Sequence, residues 1–166
     1  MDSSPSWWAS KARQFRAHLR ATVSPRERSA LGAWTTPAEL ALFDSMHVAD
    51  RRHGLDVVAS MRAEGVTDHQ ALLAGLLHDA GKGDTGVGPR VAYSLGSRYG
   101  TWIWRVIAVV PGYGSALDRL DAHAETSAVL AAQAGCPPRT VELIRNQEAP
   151  TDPDFGELLR LADEAN

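Results

Sequence analysis

The chain has one cysteine, Cys136, among 166 residues. A single thiol excludes an internal disulfide and a thiolate metal cluster, and it fits a reducing cytoplasm. Long hydrophobic runs are missing as well. The greasiest stretch, residues 102–110, is interrupted by Arg105 and is far too short to span a bilayer. No apolar signal core follows the start, because Trp7 and Trp8 lead quickly to Lys11, Arg13 and Arg16. Charge of one sign is scarce too: a formal balance of −3 gives no global case for nucleic acid or an anionic membrane. β-branched alternation is nearly absent, so strands are not expected and the chain reads as all-α. Internal repeats and low-complexity tracts are also lacking. What remains is one soluble domain long enough to bury a sizeable core.

What the sequence does contain is a set of written helix starts. Ser24-Pro25-Arg26-Glu27 and Thr36-Pro37-Ala38-Glu39 each place a hydroxyl at the N-cap, Pro at the first helical position and Glu two residues on. Thr67-Asp68-His69-Gln70 reads as a third capping box, and Asp152-Pro153 opens a last helix. The expected helices cover residues 8–21, 25–34, 37–64, 68–82, 90–99, 101–110, 122–134, 138–148 and 153–164. Residues 83–89 read as a loop at the rim of a site, and Pro111-Gly112-Tyr113-Gly114 as a turn. The five tryptophans, Trp7, Trp8, Trp34, Trp102 and Trp104, read most simply as core or interface anchors.

On the long helix Phe43, Met46, Asp50, His53, Val57 and Met61 recur every three or four residues, so His53 points inward. The apolar helix that follows, with Leu72, Leu73, Leu76 and Leu77 on one flank, runs into His78-Asp79-Ala80-Gly81-Lys82. Asp163 lies near the end. Two imidazoles and two carboxylates in the order H…HD…D suit a divalent metal. Imidazole favours Zn, Fe, Ni or Co and carboxylate favours Mg or Mn, so the mixture does not choose one ion. Adjacent helix residues point roughly 100° apart, so His78 and Asp79 can share an ion only over their common edge. A lone inward histidine is ordinarily a core residue; it is the company of the other three that gives His53 a chemical role. Asp50, one turn earlier, either accepts the free ring N–H of a ligating histidine or pairs with an arginine.

These residues, in this order on an all-α pattern, resemble the HD-domain superfamily of metal-dependent phosphohydrolases. The resemblance covers roughly residues 43–166. It implies an HD-domain helical bundle over residues 37–166, with residues 1–36 as an N-terminal helical extension packed on it. It implies one divalent metal held by His53, His78, Asp79 and Asp163, with Asp79 positioning the attacking water and Lys82 holding the substrate phosphate. Binuclear relatives add two histidines before the last Asp. His123 matches the first; at the second, this chain has Asn146-Gln147. That departure favours a mononuclear site and leaves His123, Gln147 and Asp50 as candidates for substrate or a second ion.

The reading that follows is a cytoplasmic phosphohydrolase acting on a phosphomonoester or small nucleotide, compatible with a homodimer and independent of membranes and nucleic acid. The alternative is a degenerate HD domain that binds a nucleotide without turnover and signals through a partner. A di-iron oxygenase, a third course taken by a few relatives, fits poorly with the missing histidine.

Overall fold

The computed structural model describes residues 21–166 except 84, 86 and 101. Of the first expected helix, residues 8–20 lie outside the described residues, together with Trp7, Trp8 and the basic positions Lys11 to Arg20. Among the described residues there are ten α-helices and no strand. They are α1 (Pro25–Leu31), α2 (Pro37–Ser45), α3 (Val48–Ala63), α4 (His69–Leu77), α5 (Val87–Tyr99), α6 (Trp102–Ile107), α7 (Tyr113–Asp121), α8 (His123–Gln133), α9 (Pro138–Arg145) and α10 (Gly156–Ala165). A single 3₁₀ turn, Ala80–Lys82, follows α4. None of these helices is long and apolar enough to cross a membrane.

The expected caps form. Ser24 accepts from the Glu27 amide at 3.2 Å while Glu27 accepts from the Ser24 amide at 2.9 Å. Thr36 and Glu39 repeat the exchange at 3.3 and 2.7 Å. Each pair satisfies two of the amides that a helix start leaves without partners. At α4 the cap moves by one residue: Asp68, not Thr67, accepts from the Ala71 amide at 2.9 Å. Asp152 accepts from the amides of Asp154 and Phe155, and the helix proper starts at Gly156.

The long helix expected over residues 37–64 is two helices. Met46 and His47 are extended, at ψ 153° and 144°, and His47 caps α3 by accepting from the Ala49 amide on Nδ1 at 3.2 Å. An imidazole can stand in for the usual Ser, Thr, Asp or Asn at a helix start, but nothing in its letter announces it. Meanwhile Met46 is buried in the core, so burial of an apolar side chain accompanies the break.

Helix α4 is the centre of the molecule. Residues 71–77 are all buried, so beyond exposed His69 and half-buried Gln70 the helix has no solvent face. Helices α3, α9 and α10 pack on it. The α3 contact is close because of two glycines. A Cβ on Gly54 would lie 2.5 Å from the Leu76 carbonyl oxygen, and one on Gly75 would lie 2.8 Å from Met61 Sδ. Phe43, Val57, Met61, Leu73, Leu76, Leu77, Ile144 and Leu159 fill the core around this contact. Leu31 of α1 belongs to the same core and Val23 packs against it, so residues 21–36 share the apolar interior of the rest.

The far side of the chain differs most from expectation. Helix α5 begins at Val87 and takes Gly88 and Pro89 into its first turn, shortening the expected rim loop. A further helix, α7, starts directly after the Pro111-Gly112 turn, where Gly112 takes a left-handed φ of 84°. Its burial of Ala116, Leu117 and Leu120 outweighs the cost of Gly114 within it. Trp104 stacks on Tyr93 with ring centroids 5.0 Å apart. Trp34 sits under Arg62 and edge-on to His69. Trp102, by contrast, is 63% exposed and anchors no core.

Candidate metal centre

The local backbone resolves how His78 and Asp79 serve one point. Helix α4 does not run to Lys82 as expected; it ends at Leu77, with His78 as its C-cap. Asp79 then takes φ −99° and ψ 7°, the bridge region between helix and strand. Leaving the helix at this residue turns the Asp79 carboxylate back toward the His78 ring. His78 Nε2 and Asp79 Oδ1 are 3.5 Å apart, both essentially buried.

The remaining candidate ligands come from distant parts of the chain. His53, on α3, is delivered by the close approach at the neighbouring Gly54. Asp163, on the last turn of α10, places Oδ1 2.7 Å from His53 Nε2 and 3.4 Å from His78 Nε2. One ligand atom from each of His53, His78 and Asp163 lies within 4.8 Å of the other two. A terminal turn that carries a ligand has to be held. Asn166 does so by donating to Ser60 Oγ on α3 at 2.8 Å and to the Ala162 carbonyl at 2.7 Å.

Two observations show that this cluster fits a cation. First, His78 Nε2 and Asp79 Oδ1 are buried polar atoms without a hydrogen-bond partner among the described residues. Such atoms are costly unless something else satisfies them. Second, His78 Nδ1 is 3.0 Å from the Gly75 carbonyl and His123 Nδ1 is 2.6 Å from the Leu120 carbonyl. A carbonyl only accepts, so Nδ1–H donates in both, and each Nε2 is directed at the site. Metal-ligating histidines are held in this way.

The charges agree. Burial by itself would push the His78 ring down, but Asp79 and then Asp163 outweigh it and hold its pKa up to about 9. Against its burial, His78, Lys82 and His53 hold Asp79 well below the usual carboxylate range. Asp163 is likewise held far down, its burial overcome by the hydrogen bond with His53 and by the nearby His78 ring. Lys82 donates to Asp79 Oδ2 at 2.5 Å. Burial disfavours its charge, yet Asp79, Asp163 and Asp50 together raise its pKa.

The outer candidates separate here. Asp50 is buried on the first turn of α3, and its charge acts on Lys82. His123 opens α8 with Nε2 3.8 Å from Asp79 Oδ1, at the edge of the cluster. Gln147 is buried just beyond α9 and donates from Nε2 to the His78 carbonyl at 3.2 Å, so its amide supports the end of α4. Sequence reasoning missed two supports. Ser127 accepts from the Gly81 amide at 2.7 Å. Gly81 itself lets α8 press onto the 3₁₀ turn, since a Cβ there would lie 2.5 Å from the His123 carbonyl oxygen and 2.6 Å from the Ser127 nitrogen. The glycine in H-D-A-G-K was the available signal.

No family model, curated protein or solved structure matches the chain.

Proposed function

We propose that this chain is an HD-type metal-dependent phosphohydrolase, cytoplasmic and acting on a phosphomonoester or small nucleotide. The observation that carries the reading is the pair of orphaned buried atoms, His78 Nε2 and Asp79 Oδ1, converging with His53 and Asp163 beside the Lys82 ammonium. His53, His78, Asp79 and Asp163 would hold one divalent ion of the Mn, Mg, Fe, Co, Ni or Zn class. Such an ion, when bound, lowers the pKa of water and polarises a phosphoryl oxygen. The chain's own residues do the rest. Lys82, kept protonated by three carboxylates, binds a phosphate oxygen as a compact cation. Asp79 would hold the ion with the oxygen that Lys82 does not take, and in that way position the attacking water. His78 and Asp79 are themselves buried, and a low-dielectric setting strengthens the charge interactions between them.

Nucleotide binding without turnover is the rival reading, favoured by the Lys82–Asp79 contact, which ties up both groups. A phosphate-release assay separates them. Protein loaded in turn with each of these ions is offered a panel of phosphomonoesters and nucleotides. Wild type should release phosphate from at least one, with a loss of roughly 100-fold or more in Asp79→Ala and Lys82→Ala at unchanged helix content. Nucleotide affinity without release under every metal would favour the rival.

A further inference from the structure

Arg119 lies on α7, and its side chain runs past Gly83: a Cβ on Gly83 would be 4.0 Å from Arg119 Cδ. Gly83 directly follows Lys82, so Arg119 borders the segment that carries the site's ammonium. Arg28, Arg52, Arg139, Arg145 and Arg160 each face a carboxylate. Arg119 makes no ion pair among the described residues. Its helix neighbours three and four positions away are Ser115, Ala116, Ala122 and His123, so no acid shares its stripe to neutralise it. The next residue, Leu120, supplies the carbonyl that fixes His123, which ties this turn to the metal cluster.

Exposure grades outward along this edge. The Asp79 side chain is 2% exposed and that of Lys82 23%, while Arg119 is exposed. Lys82 is drawn inward by Asp79 and addresses a phosphate at the cluster. Arg119 stands further toward solvent, where the next group of the ligand would emerge. A guanidinium is charged at every working pH and presents a fork of donors matched to phosphate oxygens.

We propose that Arg119 and Lys82 form a cradle for two linked phosphates, so that the ligand of this site is a diphosphate or longer polyphosphate rather than a lone phosphomonoester. This rests on the phosphohydrolase reading and narrows its substrate class.

The test uses two probes that cannot be hydrolysed, methylenediphosphonate and methylphosphonate, titrated calorimetrically into manganese-loaded full-length protein freed of excess metal. Metal content is checked after each titration. Wild type should bind the diphosphonate roughly tenfold or more tighter than the monophosphonate. Arg119→Ala should erase that preference and leave the monophosphonate affinity unchanged; Arg119→Lys should restore part of it. A preference that survives Arg119→Ala overturns the inference. So does a variant that weakens both probes equally. In either of those cases, monophosphonate binding that depends on Lys82 leaves the phosphohydrolase reading standing. Metal-loaded wild type that binds neither probe removes both.

Discussion

Lys82 and Asp79 share one hydrogen bond of 2.5 Å, and it divides the Asp79 carboxylate in two. Oδ2 is committed to the ammonium. Oδ1 is left buried without a partner, facing His78 Nε2. The ammonium therefore fixes which oxygen is available to an ion.

That division makes metal content the first readout. Wild-type protein should carry about one equivalent of a divalent ion, lost in His78→Ala and Asp79→Ala. Gln147→Ala removes the donor to the His78 carbonyl without touching a ligand, and should weaken metal binding by roughly 10-fold. Elemental analysis and competition with a chelator measure both. Two equivalents in wild type would mean that a second ion is held without a histidine at position 147.

Gly54 and Gly81 hold the site by being small. Alanine at either would place a Cβ 2.5 Å from a backbone oxygen, which no rotamer can relieve, and should cost about 1–3 kcal/mol as the helices move apart. Gly114→Ala is the contrast. Its nearest neighbour would be 3.8 Å away within α7, so it should be stabilising by about 0.5–1 kcal/mol. Urea midpoints decide the order; a tolerated Gly81→Ala would refute the close approach of α8.

Arg139 donates to Asp152 at 2.7 and 3.0 Å, and these bonds lower the Asp152 carboxyl from 3.8 to about 2. A folded-state pKa below the unfolded one contributes stability that is present above 3.8 and lost as pH falls toward 2. Asp152→Asn should thus melt below wild type at neutral pH, with the gap closing through that acid window. A gap independent of pH in thermal melts would place the effect elsewhere.

Cys136 is buried. Burial, followed by the Glu39 carboxylate beside it, pushes the thiol up to about 12. Thiolate is the reactive form, so native protein at pH 8 should resist iodoacetamide and label fully once denatured. Mass spectrometry of the two samples reads the result, and rapid native labelling would contradict the burial.

Much of this was legible in the letters. Ser24, Thr36 and their glutamates announce helix starts because a capping box is a local exchange among four residues. The order His53, His78-Asp79, Asp163 is equally visible, since side chains able to hold a metal are recognisable by chemical type. The single cysteine excludes a disulfide within these residues. The all-α class follows from helical periodicity and the lack of strand alternation.

Other features exist only in three dimensions. The break at Met46-His47 arises because a histidine can cap a helix and a methionine is buried there, and neither fact has a sequence signature. The end of α4 at Leu77 decides that His78 and Asp79 face one point; an unbroken helix would have turned them apart. Gln147 reads as a missing ligand in the sequence, whereas in the fold its amide holds the His78 carbonyl. Arg119 carries no motif and becomes notable only where α7 lies against Gly83. The sequence by itself determined the all-α class, the caps at Ser24 and Thr36, and the donor types. The tertiary structure decided where helices stop and which distant residues meet, because those outcomes depend on packing between segments that share no local pattern.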